Sequence, residues 1–381
     1  MKEINLAQVL SRLRREKGVT QEELAAYIGV SKASVSKWET GQSYPDIVFL
    51  PQLAAYFNTS VDELLGYEPQ MTKEDIRRLY HELSRDFGEK PFEEVFGRCR
   101  EIVKKYYSCF PLLLLMGGLL LNHVTLAGSE ERMMEVLRYA LELFTRVKSE
   151  SGDVYHISSA NSSEAACRLA LKEPEAVLEL LKDANAPLSG DEILYATAWQ
   201  QLGNLPKAKE SLQIGLYQHL VLLAGMMPTY LMMCADNREQ FDETRRRAQA
   251  LCDIFRLEDL HPNMVFQIDF VVAQTAMQWG DMELAREYLR DYGRICMKAH
   301  QNMELLSSHL STAAFTLHGD SFFDQIEPWI AEFDLGADAP MNEKTIRESL
   351  VSAVSENPVF APLHGEPWFR SLVEQMKASL M

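Results

Sequence analysis

Along residues 3–65 the apolar positions recur every three or four residues in five short runs, each closed by a glycine or a polar cap, which predicts five helices. The first places Ile4, Leu6, Val9, Leu10 and Leu13 on one face, carries Arg12, Arg14, Arg15 and Lys17 on the others, and stops at Gly18. Thr20-Gln21-Glu22-Glu23 then reads as a capping box, in which the Thr hydroxyl and the Glu carboxylate satisfy free amides at a helix start. That second helix turns Leu24, Ala25 and Ile28 inward and ends at Gly29. Ser31 is a good N-cap for a third helix over Lys32–Glu39, which stops at Thr40-Gly41. Two short helices joined by a tight Gly-containing turn form a helix-turn-helix pattern.

In the third helix Val35 and Trp38 are the apolar anchors, and Lys32, Ala33, Ser36 and Lys37 fall on the opposite face. Such a face is small, polar and cationic. A helix that enters a groove about 12 Å wide needs short side chains for approach and hydrogen-bonding tips for base edges. On an isolated helix the same two lysines would read as an ordinary solvated face, so the surrounding pattern decides.

Beyond a break at Gly66-Tyr67-Glu68-Pro69-Gln70, Thr72-Lys73-Glu74-Asp75 starts a capped helix predicted to reach about Asp86, and helical spacing dominates to the C-terminus. The chain is therefore expected to be all-α, with domains over 1–68 and 106–381 and a linker with connecting helices over 69–105. Weak self-similarity runs through the larger part. Leu202-Gly203-Asn204-Leu205-Pro206-Lys207-Ala208 lies over Trp279-Gly280-Asp281-Met282-Glu283-Leu284-Ala285, and Leu171-Lys172-Glu173-Pro174-Glu175-Ala176 is a looser copy. The matched alanines 176, 208 and 285 are 32 and 77 residues apart, near one and two periods of about 34 residues. Trp199-Gln200-Gln201-Leu202-Gly203 resembles the opening of a tetratricopeptide repeat. An α-solenoid of helix pairs is expected, with an irregular helical bundle as the alternative.

The concave face of such an array lines its groove with first helices. Candidate lining residues are Tyr195, Trp199, Gln218, Tyr230, Gln267, Gln274 and Gln278, each of which packing or solvation would equally explain. Leu216 to Met233 is an apolar, Met-rich stretch suited to a deformable surface or to core filling. Asn357 to Phe369 reads as a terminal cap over the last repeat.

The motifs Val19-Thr20-Gln21-Glu22-Glu23-Leu24-Ala25, Gly29-Val30-Ser31, Val35-Ser36-Lys37-Trp38-Glu39-Thr40-Gly41-Gln42, Pro45, Leu53-Ala54 and Ser60-Val61-Asp62-Glu63-Leu64-Leu65 resemble the XRE family of phage-repressor and Cro-type DNA-binding domains. The resemblance covers about the first sixth of the chain and implies a five-helix lambda-repressor-like domain. It implies that Gln21 binds a phosphate, that Ser31, Lys32, Ala33, Ser36 and Lys37 stand at the recognition-helix positions, and that Gly41, Gln42, Ser43 and Tyr44 approach the backbone. It also implies a structural ion pair between Arg14 and Glu39. A small helix-turn-helix usually needs two copies, so a homodimer on a double-stranded operator with half-sites roughly 34 Å apart, or a multiple of that, is expected.

In layout, this domain before a helical array is similar to the peptide-responsive RRNPP regulators, which implies dimerisation through the array and an oligopeptide or protein ligand in its groove. A protein-interaction adaptor, whose array brings a partner protein to DNA, is the second reading.

Composition narrows the field further. The 381 residues carry 38 Lys and Arg against 55 Asp and Glu, a net charge of −17. Residues 1–68 hold seven cations and nine acids, so the remainder carries −15. A nearly neutral reader on an acidic body suppresses non-specific attraction to phosphate and leaves recognition to specific contacts. The six cysteines are scattered without a CxxC pair, which points away from a disulfide framework or zinc site, and the expectation is no metal and no cofactor. No secretory leader is legible, so a cytoplasmic protein is expected. Phe110 to Val124 is leucine-rich but falls short of the roughly 20 residues of a membrane span and holds Asn122 and His123, so it reads as a buried helix. P-loop, GxSxG, HExxH and strand-linked GxGxxG motifs are absent, and no enzyme is expected.

Overall fold

The computed structural model describes residues 5–66, 70–187, 190–305 and 319–380, and among them there are helices and no strands. Ile4 of the expected first helix and Tyr67, Glu68 and Pro69 of the expected break lie outside the described residues. The first five helices are α1 (Leu6–Glu16), α2 (Gln21–Ile28), α3 (Lys32–Glu39), α4 (Leu50–Phe57) and α5 (Val61–Leu65). Their boundaries follow the local chemistry. Thr20 Oγ1 accepts from Glu23 N at 3.2 Å while Glu23 Oε2 accepts from Thr20 N at 2.7 Å, and Ser60 and Glu63 build the same reciprocal box before α5. Gly29 closes α2 at φ +82°, a left-handed conformation that costs glycine nothing. The five helices enclose a core of their own, with Leu6, Leu10, Leu24, Val35, Trp38, Leu53 and Leu64 buried.

A second core gathers α6 (Lys73–Glu89), α7 (Phe92–Lys105), α8 (Phe110–His123), α9 (Glu130–Glu150) and α10 (Val154–Ala170). The helix expected to stop near Asp86 continues one turn to Glu89. Residues 73–105 do more than connect: Ile76, Tyr80, Leu83, Val95, Phe96 and Cys99 pack into the same core as Leu113, Leu120, Val136 and Phe144. Among the described residues one segment, Phe110–Ala127, is long and apolar enough to cross a membrane. Here it runs through this core with Leu113, Leu119 and Leu120 fully buried. Gly117 faces Phe144 so closely that an added Cβ would lie 2.6 Å from its Cε1. His123 is buried, stacks on Phe87 and bonds Leu119 O at 2.8 Å, and burial holds its pKa below the ordinary value.

The remaining helices are α11 (Pro174–Leu180), α12 (Asp191–Gln201), α13 (Leu205–Met233), α14 (Arg238–Ile254), α15 (Leu257–Leu260), α16 (Pro262–Trp279), α17 (Met282–Leu305), α18 (Glu327–Ala331), α19 (Glu343–Ser355) and α20 (Pro367–Leu380). A third core joins α13 through α20, with Tyr217, Phe241, Val272, Leu289, Phe360 and Phe369 at its centre. The expected terminal cap is a 3₁₀ turn at Pro358–Leu363 followed by α20, which packs on α17 and α19. Residues 331–342 clasp α6: the Arg77 guanidinium donates to Ala331 O and Asp334 O at 3.0 Å, and Tyr80 OH donates to Pro340 O at 2.9 Å.

The three self-similar segments share one local geometry. Lys172, Gly203 and Gly280 all have positive φ, and Glu173, Asn204 and Asp281 each donate their N–H at 2.9 Å to a carbonyl five residues back, the wide bond of a Schellman turn. Ala208 and Ala285 are buried as the pattern requires, and Ala176 is half-buried. The 77 residues between the latter pair hold α13, α14, the single turn α15 and α16 rather than two regular hairpins. The 29 residues of α13 alone extend about 44 Å.

Candidate nucleic-acid interface

The helix-turn-helix is held by a buried polar clamp. Arg14 of α1 forks onto Glu39 at the end of α3, Nε to Oε1 at 2.5 Å and Nη2 to Oε2 at 3.0 Å, and its Nη1 donates to Val19 O at 2.8 Å. Gln21, the first residue of α2, donates its side-chain amide to the same Glu39 Oε2 at 2.9 Å. One carboxylate thus ties the ends of three helices. Burial opposes the charge on Glu39, but the hydrogen bonds from Arg14 and Gln21 outweigh it and hold the carboxyl below its ordinary value. The same bond to Glu39 raises the Arg14 guanidinium.

With Val35 and Trp38 buried beneath α3, its outer face presents Lys32, Ala33 and Lys37 exposed and Ser36 half-exposed. Lys32 makes a 3.4 Å contact with Glu22, exposed on both sides and therefore weak. Ser31 is committed to capping: its Oγ accepts from Ser34 N at 3.1 Å. Beyond the helix, Gly41 adopts φ +72° and Gln42 N donates to Lys37 O, which turns Gly41, Gln42, Ser43 and Tyr44 away along one edge. Tyr44 is exposed, Gln42 is exposed and Ser43 is half-buried. The arrangement can offer two ammonium groups, a hydroxyl and a methyl to one groove, and a second Gln21 amide hydrogen to an anion at its margin.

Sequence reasoning missed three features. The bond from Gln21 to Glu39 was not legible, because it depends on how α2 and α3 meet. Lys17 stands with its Nζ 4.4 Å from the centre of the Tyr56 ring, which occupies one of the cations otherwise available for phosphate. Ile47 and Val48 stand exposed just past Tyr44, where Asp46 Oδ1 accepts from Val48 N at 3.1 Å. The run Asp46-Ile47-Val48 after a proline was their available signal.

The seven candidate groove residues are not gathered around one cavity. Tyr195 and Trp199 make an edge-to-face pair on α12, Tyr230 OH accepts from Gln240 at 3.0 Å, and Gln267 donates to Asn263 at 3.0 Å, while Gln274 and Gln278 lie elsewhere along α16. Only Gln218 lines a sizeable pocket, a cavity of about 700 Å³ that it shares with Tyr155, Glu192, Tyr217, Trp329 and Phe333. Among the described residues no three His, Cys, Asp or Glu side chains converge as metal ligands.

A capped α2, a left-handed glycine turn and a recognition helix clamped from beneath define a helix-turn-helix domain, and the helix-turn-helix family matches residues 10–64. The chain is 44% identical over 55 residues to the uncharacterized HTH-type transcriptional regulator y4dJ of Sinorhizobium fredii, covering 14% of this chain and 71% of that protein. It is 35% identical over 78 residues to the HTH-type transcriptional activator BcrR of Enterococcus faecalis, and 36% identical over 61 residues to the HTH-type transcriptional regulator AnsR of Bacillus subtilis. Those matches take in 19% and 16% of this chain and 38% and 53% of the two relatives. The chain belongs, through this N-terminal domain, to the helix-turn-helix transcriptional regulators. No solved structure matches it significantly.

Proposed function

We propose that the chain is a sequence-specific DNA-binding transcriptional regulator that works as a homodimer on an inverted-repeat operator, its acidic helical body receiving a peptide or protein effector. The observation that carries the reading is the Arg14–Glu39–Gln21 clamp, which fixes α3 against α1 and α2 while leaving Lys32, Ala33, Ser36 and Lys37 on its open face. Phosphate contacts from Gln21 and the Gly41–Tyr44 loop set register, and Lys32 and Lys37 read guanine O6 and N7. Ala33 meets a thymine methyl. The cavity beside Gln218 supports an effector site, since it combines an apolar wall from Tyr217, Trp329 and Phe333 with polar groups from Gln218 and Glu192.

Selection of binding sites from random duplex DNA with the full chain tests the reading. Two-fold symmetric sites with half-sites one or two helical turns apart are expected. Recovery of asymmetric or unrelated sequences would overturn it.

A further inference from the structure

The longest helix leaves an apolar stripe uncovered. In α13 the buried side chains Tyr217, Leu220, Ala224, Pro228 and Leu231 occupy the face turned to α14 and α16. Away from that face stand Leu212, Leu216, Leu223, Met226, Tyr230 and Met233, between 42% and 72% exposed. Their spacing alternates four and three residues throughout once the exposed His219 is counted between Leu216 and Leu223, which is the heptad seam of a helix that packs lengthwise on another helix. From Ser211 to Ala235 there is no Asp, Glu, Lys or Arg to mark the surface as solvated.

The stripe is a ridge rather than a cleft, and the neighbouring cavity opens on Gln218 and Leu222 to its side. Half-exposed side chains of this size, with Leu205 and Leu222 beside them, leave on the order of 800 Å² of apolar surface, more than the few hundred Å² usual on monomers and about what one partner brings to a stable interface.

We propose that this ridge is the homodimer seam, taken up by α13 of a second copy of the chain in an antiparallel, two-fold arrangement centred near Val221. The proposal rests on the dimeric reading above and names the surface that reading needs. A two-fold contact joins a patch to itself, and a heptad seam satisfies this: the register sets Leu216 against the second copy's Met226 and Leu212 against its Tyr230. Charge selects the antiparallel sense. The N-terminal end of α13 carries Lys207 and Lys209, and Asp236 and Glu239 follow its C-terminal end, so an antiparallel pair brings opposite charges together where a parallel pair would stack lysine on lysine. The helix dipoles oppose in the same sense.

Sedimentation velocity of the full chain tests this with two variants at exposed positions, Leu216→Glu and Met226→Lys, each checked for unchanged helical circular dichroism. The wild type is expected to be dimeric at micromolar concentration, each variant to raise the dissociation constant on the order of 100-fold, and an equimolar mixture of the two to recover dimer through one Glu–Lys layer. Should either charged variant lose its helical signal, Tyr230→Ala at the same seam is read for the same weakening. A dimeric wild type whose variants remain equally dimeric overturns the seam while leaving the dimeric reading intact. Weakened variants that fail to rescue each other overturn the antiparallel register. A monomeric wild type overturns both the seam and the dimeric reading, and gives the ridge to some other partner.

Discussion

The clamp beneath the recognition helix makes a quantitative prediction for Arg14→Ala. Both side chains are nearly enclosed, Arg14 at 13% and Glu39 at 5% exposure, and the pair is bidentate. Removing one partner of a buried ion pair costs about 3–5 kcal/mol, because the other charge is left behind without solvent. The hydrogen bond from Gln21 to Glu39 survives the substitution, which brings the expected loss to about 2–3 kcal/mol. In a domain of this size each kcal/mol moves the melting temperature by about 4–8 °C, so the fragment 1–68, which has a core of its own, should melt roughly 10–20 °C lower.

Acid provides the control. Glu39 folds with its carboxyl below the ordinary 4.5, so its contribution is present above that value and is lost as pH falls through the lower folded value. In Arg14→Ala the strongest group holding the carboxyl down is gone and burial prevails. The gap in melting temperature between wild type and variant should therefore be widest near neutrality and shrink on acidification below 4.5. Thermal melts followed by circular dichroism from pH 7 to pH 3 measure both. A drop under about 3 °C, or a gap indifferent to pH, would refute the clamp as a source of stability.

Other positions give independent checks. Lys37→Ala should weaken operator binding by about 1–3 kcal/mol while changing non-specific binding less, as read by titration against cognate and scrambled duplexes; equal losses would make Lys37 a phosphate contact. Gly117→Ala should destabilise the second core by about 1–3 kcal/mol, since its new methyl meets the Phe144 ring at 2.6 Å, and denaturant unfolding without a loss would place that ring elsewhere. Asp269, buried in α16 with its Oδ2 unbonded, has its carboxyl pushed up to about 8 by burial, with the nearby acids Asp291 and Glu258 adding to the shift and Arg294 opposing it. Because the folded value is raised, wild-type stability falls as pH rises from about 4 through about 8, and Asp269→Asn should remove that slope and raise the melting temperature at pH 8. A variant that melts lower at pH 8 would show the carboxylate to be paired.

The helices of the first domain were legible because their ends are written in adjacent residues. Thr20 with Glu23, Gly29, Ser31 and Ser60 with Glu63 each act within one turn of chain, and the structure places the helix boundaries where these residues put them. The matched turns at Lys172, Gly203 and Gly280 are local in the same way, and they share one hydrogen-bond geometry. Long-range features were read less well. The seven groove candidates were chosen as first-helix side chains of a regular array, and they scatter because α13 is twice the length of an ordinary helix and the elements between its alanine and that of α17 do not repeat evenly.

By itself, then, the sequence determined an all-helical chain, five correctly bounded N-terminal helices, a recognition face with two lysines, and the acidity of everything that follows. The tertiary structure alone decided that Gln21 meets Glu39, that residues 331–342 clasp Arg77 and Tyr80, and that one side of α13 is buried while a heptad of Leu, Met and Tyr is not. A cap is satisfied by atoms three residues away, so its outcome is fixed by local spacing. Exposure of a helix that is apolar on every side depends on which neighbours arrive and where their backbones stop, and in α13 that is settled by segments brought from tens to more than a hundred residues away.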